Sequence, residues 1–225
     1  MLTDPQTAAF RVAQRALAGG RELFFAPPDA DIPAASSETI RADHLVPQFG
    51  FVGRSYLHGG VLVLGINPGN GKPNVRSEDD AKMMPRLHAF KNNPNEETYL
   101  NAMEAQFEVY PRWQASKEIN SKLVEAGIEI EAIAYSNACP YRGNDPFRHV
   151  RTIQRAANAW VAPLVAALRP RVIVAHGKES VTAVLKKAGV QTPAVIFDRE
   201  RNPIARNAKN ADFVARLVAA LRTPN

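Results

Sequence analysis

The sequence predicts an α/β protein, a three-layer α/β/α sandwich around a four-stranded, mostly parallel sheet. Residues 61–64, Val-Leu-Val-Leu, form an unbroken apolar run that is typical of a strand buried on both faces of a parallel sheet. Further short strand patterns alternate with helical patterns along the chain, which favours parallel pairing. Polar loops follow several of these strands, at the sheet edge where open α/β folds bind their ligands.

The predicted elements follow one another with short connections. A helix is expected from Asp4-Pro5 to about residue 18, an extended segment over 26–36, and irregular structure or a short edge strand within 44–58. Residues 74–93 are helix-compatible but interrupted by Pro85, and helices are predicted over 95–108 and 111–126. The other strands are predicted at 128–135, 171–175 and 194–197, with helices at 145–168 (kinked at Pro163), up to 187, and from Asn207 or Asn210 to about 222.

Length and composition limit the possible classes of protein. The chain has 225 residues with 45% hydrophobic content, so we expect one domain over 1–225 with a substantial core. No apolar span reaches the length of a membrane helix, and residues 1–5 do not resemble a secretory signal. Cys139 is the only cysteine, which excludes an internal disulfide and a cysteine-based zinc site. The single cysteine fits a reducing compartment, so we expect a cytoplasmic protein without a membrane segment. We also expect a monomer that works without a metal or cofactor.

The charge is unevenly distributed along the chain. Residues 1–150 hold 15 Lys and Arg against 18 Asp and Glu, whereas residues 151–225 hold 13 against 4. A basic excess confined to the last third indicates a polyanionic partner such as nucleic acid, although solvated helix faces would give the same count.

The first strand ends in the glycine-rich loop Gly65-Ile66-Asn67-Pro68-Gly69-Asn70-Gly71-Lys72. It is not a nucleotide-binding phosphate loop, since five residues rather than four separate Gly65 from Gly71 and Pro73 follows the lysine. Glycine allows close approach of backbone to a ligand, and Asn67 is the one polar side chain between Gly65 and Gly69.

Several segments together resemble the uracil-DNA glycosylase superfamily, most closely its mismatch-specific and single-strand-selective branches. Gly65-Ile66-Asn67-Pro68-Gly69 is similar to the first motif of that family, and Asn137-Ala138-Cys139-Pro140 to its Asn-x-Cys-Pro segment. Gly177-Lys178 and Arg201-Asn202-Pro203 are similar to later segments, and all occur in family order over about residues 60–210.

The resemblance implies a role for individual residues. Asn67, within the catalytic loop that also contains Gly65, Pro68 and Gly69, would position the water that attacks the sugar. Asn137 would read the amide edge of uracil, because an amide side chain offers both a donor and an acceptor. Ile66 and Phe90 would contact the base, with Phe107 or Phe51 as alternatives to Phe90 for stacking. The predicted DNA contacts are Arg199, Arg201, Asn202, Arg206 and Lys209.

The chain departs from the family at the last motif. Where the family has His-Pro-Ser after the fourth strand, this chain has Phe197-Asp198-Arg199-Glu200. The histidine stabilises negative charge on the departing base, and loss of one such donor costs ~10²–10³ in rate in other enzymes.

The resemblance thus predicts a monofunctional DNA repair glycosylase that hydrolyses the N-glycosidic bond of flipped-out uracil, or of a related deaminated base, and so starts base excision repair. Two alternatives remain. One is a non-catalytic damage-binding or nucleotide-binding protein of the same fold, and the other is a small-molecule α/β hydrolase.

Overall fold

The computed structural model of the protein describes residues 1–25, 37–69, 77–142, 150–177, 179–198 and 208–223. In this part of the chain five strands form one sheet in the order β1-β3-β2-β4-β5. Their bounds are Phe51–Val52 (β1), Val61–Gly65 (β2), Ile133–Asn137 (β3), Val172–His176 (β4) and Ala194–Phe197 (β5). The α/β class is confirmed, and so is the mostly parallel sheet, since only β1 runs antiparallel to its neighbour.

The expectation of four strands was wrong by one, because β1 joins the sheet at its edge. It contains only two residues, and it pairs with β3 rather than with β2. A strand this short shows no alternating pattern in the sequence, so only its pairing partner identifies it.

Helices cover both faces of the sheet. They are α1 (Asp4–Ala18), α2 (Glu38–His44), α3 (Glu78–Asn92), α4 (Glu96–Val109), α5 (Gln114–Glu125), α6 (Val150–Ala156), α7 (Ala162–Leu168), α8 (Glu179–Lys187) and α9 (Phe213–Arg222). Helices α5 and α9 pack against each other, and α9 contacts β4 and β5. Helix α8 packs against α6 and also contacts β4. Short 3₁₀ segments occur at Arg21–Leu23, Tyr110–Arg112 and Ile130–Ala132.

Capping side chains fix the starts of two helices, and glycines follow the ends of two others. Helix α1 is capped by Thr3 rather than by Asp4, in a capping box with Gln6. Asn95 caps α4 in the same way together with Thr98. Gly127 has φ 77° after α5, and Gly189 has φ 65° after α8. Both glycines therefore end their helices with a left-handed residue, a common way for a helix to stop.

Two prolines behave differently from expectation. Pro85 lies inside α3 without ending it, because that helix buries Met83, Met84, Leu87 and Phe90 against the core. Pro163 directly follows a π-helical segment, Ala157–Val161, and lies at the start of α7, so the helical irregularity precedes the proline.

Two elements begin at residues other than the predicted ones. Strand β3 begins at Ile133 rather than at 128, since residues 130–132 form a 3₁₀ turn. Helix α9 begins at Phe213, because Asn210 uses its side chain to bind the backbone of Asp198. The predicted helix start at Asp145-Pro146, the segment 26–36 and Asn207 lie outside the described residues.

Candidate functional site

The two sequence motifs lie side by side at the carboxyl edge of the sheet. Strands β2 and β3 are parallel, with Gly65 opposite Asn137. The pairing continues past both strands, because the Ala138 N–H donates to the Gly65 carbonyl at 2.8 Å and the Cys139 N–H donates to the Ile66 carbonyl at 2.9 Å. The chain entering Asn67 is therefore tied to the chain leaving Asn137.

Asn137 is a buried side chain held at several points. It is 2% exposed, and its Oδ1 accepts a hydrogen bond from the Tyr135 hydroxyl at 3.1 Å. On the opposite face of β3, the Trp160 indole N–H donates to the Asn137 carbonyl at 3.0 Å and to Ser136 Oγ at 3.1 Å. Trp160 lies in the π-helical segment, so this irregular turn anchors the strand that presents Asn137.

Gly65 provides the space that the Asn137 amide occupies. A Cβ at position 65 would lie 2.6 Å from Asn137 Oδ1, which is closer than real contacts allow. A side chain at this position would displace the amide, so the first glycine of the loop is required by Asn137 itself.

The loop from Asn67 to Gly69 is half-buried at the same edge. Gly69 has φ 72°, a conformation that favours glycine, and a Cβ there would meet no atom within 4 Å. Gly69 is therefore required by the conformation of the backbone and not by lack of space for a side chain. Asn70, Gly71 and Lys72 lie outside the described residues.

Ile66 contacts the end of β4, the strand that pairs with β2 on the side away from β3. A Cβ on Gly177 would lie 2.9 Å from the Ile66 side chain, so Ile66 packs against the backbone just after β4. His176, the last residue of β4, is 4% exposed, with its ring 5.8 Å from that of Phe197. Ile66 thus fills the edge between the asparagine loop and the end of β4. Lys178 lies outside the described residues.

The structure places Phe90 in the core rather than beside Asn137. Its ring contacts Phe10, Phe49 and Tyr99, and it is 2% exposed. An aromatic side chain that does contact the Asn137 amide is Tyr135, through its hydroxyl.

Tyr135 belongs to an aromatic cluster on its own face of the sheet. Its ring centroid lies 4.5 Å from Tyr110, 5.9 Å from Trp113 and 5.8 Å from Phe51. Phe107 joins the cluster through Phe51, at 5.1 Å. The two alternatives for base stacking, Phe51 and Phe107, are therefore close neighbours of the site strand. Trp113, which is half-buried, was missed by the sequence analysis.

A buried ion pair braces the segment after the second motif. Arg142 binds Asp80 of α3 through two nitrogens, with Nη1 at 3.2 Å from Oδ2. With its amide oxygen toward Arg142, Gln48 accepts from Arg142 Nε at 2.9 Å, and its backbone N–H donates to the Pro140 carbonyl at 2.7 Å. The second motif is thereby connected to α3. Spacing in the sequence does not reveal this pair, since 62 residues separate its partners.

Cys139 lies beneath the site but is chemically shielded. It is fully buried, and burial raises the pKa of its thiol to about 12, although a hydrogen bond with the Tyr141 backbone and the nearby Arg21 act in the opposite direction. A thiol with such a pKa is not a nucleophile near neutral pH.

Asp198 directly follows β5 and belongs to the segment Phe197-Asp198-Arg199-Glu200, where the sequence departs from the family it resembles. One carboxylate oxygen, Oδ1, is buried and has no hydrogen-bond partner within the described chain, and Oδ2 lies 3.5 Å from Lys209 Nζ. Asn210 fixes the backbone of Asp198 through a pair of hydrogen bonds at 2.9 and 3.0 Å. Lys209, expected to bind DNA phosphate, is therefore paired with an acid. The other predicted DNA contacts, Arg199, Arg201, Asn202 and Arg206, lie outside the described residues.

The described residues contain no group of three or more His, Cys, Asp or Glu side chains arranged to hold a metal ion. Among the described helices, none combines the length and the apolar character needed to span a bilayer.

A comparison with models of known protein families finds no match for this chain, and a comparison with curated proteins finds none either.

Proposed function

We propose that the protein is a monofunctional DNA glycosylase that hydrolyses the N-glycosidic bond of uracil, or of a related deaminated base, flipped out of DNA. The observation that carries the proposal is the hydrogen-bonded alignment of Gly65-Ile66-Asn67 with Asn137-Ala138-Cys139. It brings a polar loop residue and a buried amide to one edge of one sheet, where the first can orient a water and the second can bind a flipped base.

In the proposed reaction, water adds to C1′ of the deoxyribose while the bond from C1′ to the base nitrogen breaks. Asn67 orients the water, and Asn137 binds the base through its amide. The bonding electrons leave with the base, which is protonated from solvent, and the water proton is released. Loss of the family histidine is expected to slow this step rather than to abolish it, since one donor accounts for ~10²–10³ in rate in other enzymes.

Asn67→Ala tests this proposal. Purified protein is incubated with single-stranded and duplex oligonucleotides that contain uracil, hypoxanthine or a thymine mismatch, and abasic sites are detected by alkaline cleavage. We expect wild type to release at least one of these bases. We expect Asn67→Ala to lower the single-turnover rate ~100-fold with little change in DNA binding, as for a group that acts in the transition state.

The matched control is Asn101→Ala, which removes an exposed asparagine from α4. It should keep the wild-type rate. If wild type releases none of the bases, or if Asn67→Ala retains the full rate, the glycosylase proposal is wrong.

One observation favours a second candidate, a non-catalytic protein that binds damaged DNA or nucleotides. The side chain after β5 is Asp198, which as a carboxylate cannot donate a hydrogen bond to a departing base. Binding of uracil-containing DNA without any base release, by wild type and Asn67→Ala alike, would support this candidate.

A further inference from the structure

The side chains of Tyr135 and Asn137 point to the same face of β3, because alternate residues of a strand share a face. The Tyr135 hydroxyl donates to Asn137 Oδ1 at 3.1 Å, and both residues are buried, with exposures of 8% and 2%. The same hydroxyl lies 3.4 Å from the position that a Cβ on Gly65 would take. Tyr135 is therefore part of the wall that surrounds the Asn137 amide.

In the structure, this contact leaves the nitrogen end of the amide available to a ligand. An asparagine side chain has one acceptor oxygen and two N–H donors. The oxygen faces the tyrosine hydroxyl, while Nδ2 makes no hydrogen bond with the described residues. This end of the amide is therefore the one that can donate to a ligand.

The hydroxyl itself is held in place by its neighbours. The ring of Tyr135 is packed among Tyr110, Trp113 and Phe51, with centroid distances between 4.5 and 5.9 Å. Aromatic packing of this kind leaves the ring little freedom to move. The oxygen at its tip consequently occupies a fixed point next to Asn137.

We propose that Tyr135 is a positioning residue that fixes the orientation of the Asn137 amide and so selects pyrimidines with a carbonyl at C4 over those with an amino group. The identity of the ligand rests on the proposed function. A C4 carbonyl, as in uracil, accepts from the Nδ2 donors, whereas the amino group of cytosine is itself a donor and faces them without a partner. An amide free to turn would present its oxygen to cytosine.

The test is Tyr135→Phe, which keeps the ring and removes the hydroxyl. Two quantities are measured in the full-length protein: the ¹H–¹⁵N resonances of the Asn137 side-chain amide, assigned with Asn137→Asp, and the ratio of affinities for free uracil and free cytosine. We expect Tyr135→Phe to shift the amide resonances without any base present and to reduce the preference for uracil about tenfold, the effect of one hydrogen bond in a buried site.

Tyr110→Phe is the matched control. It removes a phenolic hydroxyl from the same cluster, one that interacts with Ser116 rather than with Asn137. It should leave both the amide resonances and the base preference unchanged. A loss of packing alone would not distinguish the two variants in this way.

Unchanged amide resonances and an unchanged uracil preference in Tyr135→Phe would overturn the inference. If instead the proposed function is wrong, the wild type binds neither base. The amide resonances of the free protein then still show whether Tyr135 holds the Asn137 amide. If Tyr135→Phe does not fold, the inference is tested in the wild type by measuring how fast the Tyr135 hydroxyl proton exchanges with water. Slow exchange with water supports the inference, and exchange too fast to observe contradicts it.

Discussion

At the scale of single residues, Asn137 differs from an asparagine that merely caps its own turn. Its amide oxygen is bound by a tyrosine of the same strand, and its carbonyl is bound by a tryptophan from the opposite face of the sheet. Neither bond is local turn chemistry, in which the side chain binds backbone two residues on. The residue is therefore positioned by tertiary structure, as a ligand-binding group has to be.

We expect Asn137→Ala to weaken uracil excision by about 1–3 kcal/mol in transition-state binding, because it leaves polar groups of the base edge unpaired. Asn137→Asp should be worse, since a carboxylate cannot donate to the C4 carbonyl and would repel a departing anion. Single-turnover rates on uracil-containing DNA measure both effects. Asn158→Ala, at an exposed position, is the control. A wild-type rate in Asn137→Asp would show that this amide does not read the base.

Cys139 gives a prediction that does not depend on any ligand. Because it is fully buried and its pKa is raised to about 12, the thiol should resist alkylation in the native state and react only after unfolding. Its pKa is higher in the folded protein than in the unfolded chain, so burial of the neutral thiol stabilises the fold at neutral pH, and this contribution is lost as the pH rises from about 9 toward 12.

Iodoacetamide labelling followed by mass spectrometry, with and without denaturant, checks the reactivity. Denaturant unfolding as a function of pH checks the linkage, with Cys139→Ala as the comparison. Rapid labelling of the native protein at pH 7.5, a value well below the raised pKa, would contradict the burial of this thiol.

At the scale of secondary-structure elements, the edge strand β1 is completed by side chains. The amide of Gln106 accepts from the Gly50 N–H at 2.9 Å and donates to the Gly50 carbonyl at 2.8 Å. Gln6 donates to the Val52 carbonyl at 3.0 Å. Two glutamines from α4 and α1 thus occupy backbone groups that an open edge would otherwise offer to another strand.

We expect Gln106→Leu to lower the free energy of unfolding by about 1–3 kcal/mol, because it leaves both backbone groups of Gly50 buried without their partner. Gln14→Ala, which loses a single bond to the Pro94 carbonyl at the surface, should change the free energy by less than about 0.5 kcal/mol. Urea unfolding followed by circular dichroism measures both. Equal stability of the two variants would mean that the edge needs no side-chain cap.

The elements also show what the sequence could and could not reveal. Strand β5 has the predicted bounds, 194–197, since glycine, proline and apolar runs are local signals. The alignment of Asn67 with Asn137 was also foreseeable, because parallel strands end at one edge. The contacts of Tyr135 and Trp160 with Asn137 were not foreseeable, because they depend on strand register and on a π-helical turn. The core position of Phe90 was missed for the same reason: helical spacing shows that a ring is buried, but not against which partners.

At the scale of the whole molecule, charge is divided between the two parts of the chain. The basic excess lies in residues 151–225, which supply β4, β5 and the segment after β5. These strands end at the same sheet edge as Asn67 and Asn137, because β2, β3, β4 and β5 are all parallel. A negatively charged DNA strand bound at this edge would therefore lie near the end of β5, whereas Arg169 and Arg171 precede β4 at the opposite edge.

The salt dependence of DNA binding tests this arrangement. Each lost phosphate contact should flatten the slope of log K against log salt by ~1 on duplex DNA. We expect Arg206→Ala and Lys209→Ala each to weaken binding and to flatten the slope in this way. Arg201→Ala should instead slow excision from duplex more than from single strands, if its side chain fills the space that a flipped base leaves.

The ion pair of Lys209 makes the prediction sharper. Asp198 Oδ2 lies 3.5 Å from Lys209 Nζ, so the negative charge of Asp198 partly offsets the attraction of Lys209 for a phosphate. Asp198→Asn keeps the shape of the side chain and removes its charge, so it should strengthen DNA binding and steepen the slope, opposite to Lys209→Ala. Lys91→Ala, an exposed lysine of the acidic part, should leave the slope unchanged. Affinities measured between ~50 and ~200 mM salt decide the matter. If Asp198→Asn and Lys209→Ala change the slope in the same direction, or not at all, the proposal that the segment after β5 binds DNA is wrong.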